Sequence, residues 1–298
     1  MSASISLQES IKVGYLGPQG TFCHQAAKNR FGNSMTYVPC NSIGDIFSTV
    51  SKGDVNYGVI PIENIIFGSV IQTLDSFKLP SNSSIVVLSE VYLPLKQSLL
   101  SNSDLNHINK VYSHSMAFGQ SMAWLKANLP KAELVEVNST ALGAQIASKE
   151  PNSAAVANSL CADMYGLNIL ESDISSEPGN VTRFFVIGIH NDKTIVKRAE
   201  KMLVMFTVDH SNAGALCMAL GVFSKHNLNL TAINSRPAND SFKPDPKVKN
   251  WHYMFFVEAA IDSTGDYDSC SQIADQVIID LKQSCSLVKL LGIYPNML

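Results

Sequence analysis

Residues 12–30 read KVGYLGPQGTFCHQAAKNR: a short apolar run, a turn with two glycines and a proline, and then a helical stretch. A strand that leads directly into a helix is the unit from which layered α/β folds are built. The same alternation continues to about residue 190. Strands are predicted at 12–16, 35–38, 57–61, 85–93, 109–112, 134–137, 154–157 and 181–189, and helices at 22–30, 43–51, 116–128 and 140–149. Ser42 and Ser139 are placed to cap two of these helices. The pattern predicts an α/β fold with largely parallel sheets.

The strands fall into one set before about residue 95 and another after it, which predicts two lobes joined by crossing strands. Ligands of open α/β sheets bind at the carboxyl ends of strands, so we expect a site in a cleft between the lobes. A polar stretch at 189–201 predicts a linker. Beyond it, strand, helix, strand, strand, helix and strand follow at 203–208, 213–225, 230–233, 253–260, 268–284 and 287–291. This βαββαβ order is ferredoxin-like, and we therefore predict two domains, at 11–190 and 201–298.

The composition narrows the functional classes. Apolar residues make up 46% of the 298 residues, and the low charged fraction of 16% favours contacts between subunits. A net charge of −3 without basic runs provides no electrostatic footprint for nucleic acid. The six cysteines form no C-x-x-C pair, which argues against the usual zinc clusters and favours reduced thiols. Because no leader pattern or membrane-length apolar stretch is visible, we expect a cytoplasmic protein that makes no membrane contact.

Polar groups stand where the predicted strands end. The turn at residues 17–21 (GPQGT) opens a helix, and the free N–H groups of a helix start attract an anion. The alternative is an ordinary turn between a strand and a helix that binds no ligand, since such turns have the same sequence pattern. Glu63 and Asn64 close the third strand, and because neighbours in an extended chain point to opposite sides, only one can face a given site. We predict that Asn64 faces the cleft and that Glu63 makes a structural bond.

Two further strand ends carry candidate groups. Ser113 and His114 stand directly before a helix, and His114 is a candidate acid, base or helix cap. Arg183 interrupts the apolar strand at 181–189, where a guanidinium normally has an acidic partner. That partner is either a substrate carboxylate or a buried acid of the protein such as Glu63, and the sequence favours neither. The neighbouring Thr182, taken alone, is an ordinary strand residue.

Taken in order, these segments closely resemble the prephenate dehydratase family: GPQGTF at 17–22, VIPIEN at 59–64, YSH at 112–114 and NVTRFFVIG at 180–188. The C-terminal part resembles the ACT domain of that family, with GAL at 214–216, NSRP at 234–237 and LGIYP at 291–295. The resemblance covers residues 11–298. It implies a periplasmic-binding-protein-like catalytic region of two lobes, followed by an ACT regulatory domain. Because few residues precede the first predicted strand, too few for a chorismate mutase domain, we expect a monofunctional protein.

The implied reaction converts prephenate to phenylpyruvate in L-phenylalanine biosynthesis, with loss of carbon dioxide and water. The ring becomes aromatic, so the reaction calls for no metal or other cofactor. The resemblance assigns catalysis to Thr182, Arg183, Asn64 and Ser113, with Thr182 donating to the departing oxygen. It assigns substrate binding to Gly20, Thr21, Glu63, His114 and Phe184. Two alternatives remain: an arogenate dehydratase, which acts on the amino analogue, and a non-catalytic amino-acid sensor.

The resemblance also implies regulation. In this family L-phenylalanine is an allosteric inhibitor that binds to the ACT domain where two subunits meet, so we expect a homodimer or homotetramer. The residues that it assigns to phenylalanine binding are Gly214, Ala215, Leu216, Asn234, Ser235, Arg236 and Pro237. Gly214 permits close backbone approach, and residues 234–237 are expected to form the facing wall. Asn234 stands where many members of the family have glutamate.

Overall fold

The computed structural model describes residues 11–176, 179–189, 198–238, 252–261 and 266–298. Within these ranges, the sheet of the first lobe contains β1 (Lys12–Leu16), β2 (Thr36–Cys40), β3 (Tyr57–Asn64), β4 (Gly68–Ser69), β5 (Ile85–Pro94) and β11 (Val181–Ile189). The strands lie in the order β2-β1-β3-β11-β5, and β4 pairs with β3. Helices α1 (Phe22–Phe31), α2 (Ile43–Lys52) and α3 (Ile71–Phe77) pack on this sheet.

The second lobe has its own sheet, which contains the strands predicted between 109 and 157, whereas the strand predicted at 181–189, the last of the second set, lies in the first-lobe sheet as β11. Its strands are β6 (Ser98–Ser101), β7 (Lys110–Ser113), β8 (Glu133–Glu136), β9 (Ser153–Ala157) and β10 (Asn168–Glu171), in the order β10-β6-β9-β7-β8. Its helices are α4 (Ser115–Asn128), α5 (Thr140–Ala147) and α6 (Leu160–Tyr165). The chain enters this lobe after β5 and returns to the first lobe at β11.

Both sheets are mixed, and the prediction of largely parallel sheets is wrong. In the first lobe β11 runs antiparallel to β3 and to β5, whereas β1 is parallel to β2 and β3. The reason is topological: β11 comes back from the second lobe, so it enters the sheet at the edge where β3 and β5 end. In the second lobe β6 is likewise antiparallel to β9 and β10.

The C-terminal part forms one antiparallel sheet with two helices. Its elements are β12 (Lys201–Val208), α7 (Ala215–Lys225), β13 (Asn229–Pro237), β14 (Tyr253–Ala260), α8 (Tyr267–Leu281) and β15 (Cys285–Tyr294). The βαββαβ order predicted for this part is confirmed, and the strands lie in the order β13-β14-β12-β15. Most of the predicted linker, residues 190–197, lies outside the described residues.

The C-terminal sheet shares a hydrophobic core with the first lobe. Alternate residues of β11 point to opposite faces, so Phe184 packs in a core with α1 while Phe185 joins a core with α2 and the C-terminal sheet. At Gly292 of β15 the approach is so close that a Cβ there would overlap the Val87 carbonyl of β5. In the described part of the chain, no helix is long and apolar enough to cross a membrane.

Candidate active site

Asn64 and Thr182 lie side by side at the edge of the first-lobe sheet where the chain passes to and from the second lobe. Asn64 ends β3, and Thr182 lies opposite it on β11. The Nδ2 atom of Asn64 donates to Thr182 Oγ1 at 2.9 Å and to Asn180 Oδ1 at 2.7 Å. All three side chains are buried. The structure therefore brings two of the predicted catalytic residues into direct contact.

The hydrogen bonds that the side-chain oxygen of Asn64 accepts determine the orientation of its amide group. Asn64 Oδ1 accepts the backbone N–H groups of Ile66 at 2.9 Å and Phe67 at 3.0 Å. Because the amide oxygen accepts and the amide nitrogen donates, these bonds identify the atom that faces Thr182 as Nδ2. Thr182 Oγ1 therefore accepts a hydrogen bond from Asn64. Its own hydroxyl hydrogen remains available as a donor, since none of the described residues accepts a hydrogen bond from it.

The glycine turn before α1 connects the two lobes. Thr21 Oγ1 accepts the backbone N–H of His24 at 3.3 Å and so caps α1. The N–H of Gly20 donates to Nδ1 of His24 at 3.1 Å, and its carbonyl accepts from Asn158 Nδ2 of the second lobe at 2.6 Å. The Gly20 amide, expected to bind substrate, is thus already bonded within the protein, and Gly20 instead joins the lobes.

His24 stays neutral and holds this turn. Burial, and after it the positive charge of Lys28, lowers the pKa of His24 to about 4. The ring stacks on Tyr15, with 4.5 Å between the ring centroids. Because Nδ1 accepts the N–H of Gly20, the ring proton of the neutral imidazole lies on Nε2. Near neutral pH the turn therefore keeps one hydrogen-bonding pattern.

Ser113 and His114 lie where β7 ends, and both make structural hydrogen bonds. Ser113 is fully buried and donates to the carbonyl of Val156 at 2.6 Å. The Nδ1 atom of His114 accepts the backbone N–H of Met116 at 3.2 Å and caps α4. Of the three roles open to His114, the structure thus shows the helix cap. The hydroxyl hydrogen of Ser113 is used inside the second lobe.

Arg183 points to the face of β11 opposite Thr182. Its Nε atom donates to Glu90 Oε2 at 2.8 Å, and its Nη2 atom binds the carboxylate of Glu258. Burial alone lowers the pKa of Arg183, but its interactions with Tyr294, Glu258 and Glu90 outweigh burial, so the pKa is raised. Of the two kinds of partner left open for Arg183, this structure shows buried acids of the protein.

Glu63 and Phe184 also differ from expectation. Glu63 lies opposite Arg183 in the register of β3 and β11 and borders a small cavity, but no described residue donates a hydrogen bond to its carboxylate. The structural bond predicted for Glu63 is thus not seen among those residues. Phe184 is 1% exposed and packs beside Val186 in the core under α1. It is a core residue in this structure, because strand alternation turns it under that helix.

An open cleft of about 770 Å³ separates the lobes beside the glycine turn. Its lining residues are uncharged and come from both lobes: Gly17, Pro18, Gln19, Pro39, Cys40, Asn41, Asn138, Ser139, Ala141, Leu142, Gln145 and Tyr165. Neither Asn64 nor Thr182 borders this part of the cleft. They belong to the same sheet edge, however, because β3 lies between β1 and β11. A ligand between the lobes thus meets polar groups without formal charge on this side.

The GAL segment borders a second pocket, of about 260 Å³, at the start of α7. Gly214 caps this helix with a φ of 82°, a left-handed conformation that favours glycine. Ala215 and Leu216 line the pocket together with Phe255. The three residues predicted at this end of the phenylalanine site are therefore together in a concave surface.

The NSRP segment is divided between two faces of β13. Ser235 pairs with Phe255, which borders the 260 Å³ pocket. Asn234 and Arg236 instead contact the first lobe, where Ser69 Oγ donates to Asn234 Oδ1 at 2.7 Å. The carbonyl of Pro237 also faces that lobe and accepts a bond at 2.8 Å from Lys78 Nζ. Within one chain, residues 234–237 thus do not form a single wall facing the GAL segment.

Sequence reasoning missed the residues that hold the predicted ones. Asn180 stands inside a quoted motif, but its bond to Asn64 depends on a partner 116 positions away. Glu90 and Glu258 each interrupt an apolar strand, which is the same signal that drew attention to Arg183. That signal identifies buried charges in the sequence. It does not identify which charges pair.

Comparisons with known proteins identify the family of this chain. A family model described as prephenate dehydratase matches residues 13–192. The bifunctional chorismate mutase/prephenate dehydratase of Aquifex aeolicus is 40% identical over 299 residues, which cover 100% of this chain and 77% of the relative. The prephenate dehydratase of Lactococcus lactis subsp. lactis is 34% identical over 230 residues, or 76% of this chain and 81% of the relative. A crystal structure of prephenate dehydratase from Arthrobacter aurescens in complex with L-Phe superposes with a TM-score of 0.75 at 27% identity, covering 96% and 90% of the two chains. The chain belongs to the prephenate dehydratase family.

Proposed function

We propose that prephenate binds between the two lobes and that Thr182 donates a hydrogen bond to its departing hydroxyl group. The bond from Asn64 Nδ2 to Thr182 Oγ1 carries this proposal. Because Asn64 occupies a lone pair of the threonine oxygen, the hydroxyl hydrogen is left to point toward a third group. A pre-oriented donor of this kind stabilises charge that develops on a leaving oxygen.

The chemistry suits such a donor. The bond from the ring to its carboxylate breaks and carbon dioxide leaves. The released electron pair enters the ring, the carbon–oxygen bond at the opposite ring carbon breaks, and the hydroxide ion takes up a proton to leave as water. A threonine hydroxyl has a high pKa, so we propose that it serves by hydrogen bonding to the oxygen as negative charge builds there. Asn64 is the orienting partner in this scheme.

The two substrate carboxylates need other donors. Arg183 is engaged by Glu90 and Glu258, and the Gly20 amide by His24. We propose that the carboxylates are bound by uncharged donors, namely the first-turn amides of α1 that follow Thr21 and the neutral side chains that line the cleft. Ser113 and His114 are then part of the scaffold of the second lobe in the state described.

The first expected result is turnover of prephenate to phenylpyruvate by the purified chain after treatment with a chelator, with much slower turnover of arogenate. The motif set and the uncharged cleft support this expectation, because the extra positive charge of an amino group finds no carboxylate in the cleft lining. Phenylpyruvate and phenylalanine formation would be measured separately from the two substrates. Rapid turnover of arogenate with none of prephenate would contradict the proposed substrate.

Regulation belongs to the same proposal. We propose a cytoplasmic enzyme with a catalytic region at 11–190 and an ACT domain at 201–298, assembled as a homodimer or homotetramer that phenylalanine inhibits. The pocket beside Gly214, Ala215 and Leu216 supports this, as does the similarity to the Arthrobacter aurescens prephenate dehydratase, whose crystal structure is a complex with L-Phe. Because Asn234 and Arg236 contact the first lobe, we assign them to the transmission of the signal and leave Ser235 beside the pocket.

Phenylalanine and a non-reactive prephenate analogue are expected to weaken each other's binding by the same factor, of about 5–150-fold. Reciprocal calorimetric titrations measure both factors. Gly214→Val should abolish the binding of phenylalanine, because the variant must adopt a φ of 82° at the pocket edge. Gly221→Val on the same helix is the matched control, since a Cβ at Gly221 meets no atom within 4 Å. Unchanged phenylalanine binding in Gly214→Val would contradict the assigned site.

A further inference from the structure

The C-terminal sheet binds residues that neighbour the Asn64–Thr182 pair. On β11 the residue after Thr182 points to the opposite face, and that residue is Arg183. On β4, which pairs with the end of β3, the supporting residue is Ser69. Both are bound by the C-terminal sheet, Arg183 by Glu258 of β14 and Ser69 by Asn234 of β13.

Glu258 is held in one position. Its carboxylate binds Arg183 Nη2 and accepts from the Tyr294 hydroxyl at 2.7 Å and the Thr231 hydroxyl at 2.6 Å. It is 2% exposed, and burial raises its pKa, but the charge of Arg183 and the hydrogen bonds outweigh burial and leave the pKa lowered. Glu258 is therefore ionised near neutral pH, and both of its oxygens accept from donors.

The charges around Glu258 balance. Arg183 binds Glu90 on β5 as well, and Lys201 Nζ of β12 lies 3.0 Å from Glu90 Oε1 and 3.8 Å from Glu258 Oε1. Two cations and two carboxylates, all buried, thus alternate in sign around a ring, in which the first lobe supplies Arg183 and Glu90 and the C-terminal sheet supplies Lys201 and Glu258. A buried cluster of ion pairs resists small displacements, because a charge that loses its partner cannot be solvated by water instead.

The segment that follows Asn64 is also held by polar contacts with the C-terminal sheet. Ser69 Oγ donates to Asn234 Oδ1 at 2.7 Å, two residues before Arg236 on β13. Arg236 makes two parallel bonds to Asp75 of α3, at 3.0 Å each. A guanidinium that binds a carboxylate at two points fixes orientation as well as distance. The strand β13 therefore holds the segment that follows Asn64.

We propose that Glu258 is a positioning residue for the dehydration, which acts through Arg183 on Thr182, and that the Asn234–Ser69 bond acts in the same way on Asn64. The inference rests on the role proposed for Thr182. One peptide unit joins Arg183 to Thr182, so a shift of the guanidinium moves the threonine hydroxyl, and hydrogen-bond strength falls steeply with misalignment. Because this bond forms to the departing oxygen, its loss lowers kcat more than it raises KM.

The decisive variant is Glu258→Gln. Glutamine keeps the shape, but it turns an N–H group toward Arg183, Tyr294 or Thr231, all of which are donors to the native carboxylate. We expect kcat to fall about 10- to 100-fold, the scale seen when distant substitutions misplace reacting groups by about 1 Å, with KM changed less than about threefold. In a Thr182→Ala background, Glu258→Gln should lower kcat no further, since the group that it positions is gone.

The matched control is Asp280→Asn. Asp280 is another buried carboxylate of the C-terminal part, but it binds Lys225 and His226 between α7 and α8 and contacts neither Asn64 nor Thr182. Its variant should lose thermal stability and keep kcat within about twofold of wild type. Circular dichroism and thermal melts of all variants separate loss of fold from loss of positioning.

A folded Glu258→Gln enzyme with wild-type kcat would overturn the proposal. So would a double variant with Thr182→Ala in which the two losses of kcat multiply. If Glu258→Gln does not fold, the pair Ser69→Ala and Ser69→Thr decides. The alanine variant, which lacks the bond to Asn234, should lose kcat, and the threonine variant should keep it. Equal activity of the two would overturn the proposal. Wild-type kcat in Thr182→Ala alone would instead refute the donor role itself, whatever Glu258→Gln does.

Discussion

Thr182→Ala lowers kcat by about 10²–10³-fold and leaves KM nearly unchanged, which is the expected cost of removing one donor to a developing oxyanion. In the proposed role the donor is oriented before the substrate arrives, because Asn64 Nδ2 occupies a lone pair of the threonine oxygen at 2.9 Å. Steady-state assays of phenylpyruvate formation measure both constants. The fold should be unaffected, since Thr182 lies at the start of β11 and removal of its hydroxyl leaves no charge buried.

The matched control for this prediction is Thr182→Ser, which keeps a hydroxyl beside Asn64 and should retain most of kcat. Thr182→Val removes the hydroxyl with little change of shape and should resemble alanine. Asn64→Leu should have an intermediate effect, because Thr182 keeps its donor but loses the bond that orients it. Wild-type kcat in Thr182→Val would show that the hydroxyl takes no part in the reaction.

Arg183→Ala lowers the free energy of unfolding by about 3–5 kcal/mol, because it leaves buried carboxylates without their main partner. Glu90 and Glu258 are almost fully buried, and Lys201 alone cannot balance both. Urea unfolding, followed by circular dichroism, measures the shift in the transition midpoint. Arg198→Ala is the control: Arg198 pairs with Glu200 at 3.0 Å but its side chain is 68% exposed, so its loss should cost less than about 1 kcal/mol.

The same variant distinguishes two roles for Arg183. If it held a substrate carboxylate, the other partner that the sequence left open, alanine would raise KM and leave the unfolding midpoint near that of wild type. The ion pairs to Glu90 and Glu258 predict the reverse, a large loss of stability. A double variant that also replaces Glu90 with glutamine should be less destabilised than the sum of the single variants, since it removes one unpaired charge.

Local signals in the sequence predicted the elements well, because strands and helices depend on neighbouring residues. The bounds of β1, β11 and β14 match the predicted ranges, and Ser42 and Ser139 cap their helices as predicted. The helices α3 and α6 and the short strands β4, β6 and β10 were missed. The strands β6 and β10 are four residues long, and β6 (SLLS) follows the polar pair at 96–97 without an alternating pattern.

Strand direction and side-chain pairing were beyond the same reasoning, because both depend on residues far apart in the chain. The residue types pointed to a buried acid as one of two partners for Arg183. Its actual partners lie 93 and 75 positions away, whereas the acid named from the sequence, Glu63, lies opposite Arg183 on β3 without binding it. Phe184 was expected to bind substrate because it lies inside a family motif. In the structure it packs in the core, because alternation along β11 places it under α1.

Gly292 also limits how this protein can be recombined with its relatives. At this position β15 lies so close to β5 that a Cβ would overlap the Val87 carbonyl. A chimaera that takes its C-terminal half from another family member must therefore supply a glycine here, or its two halves will be pushed apart by a side chain. C-terminal halves are thus exchangeable only between chains that keep this close approach.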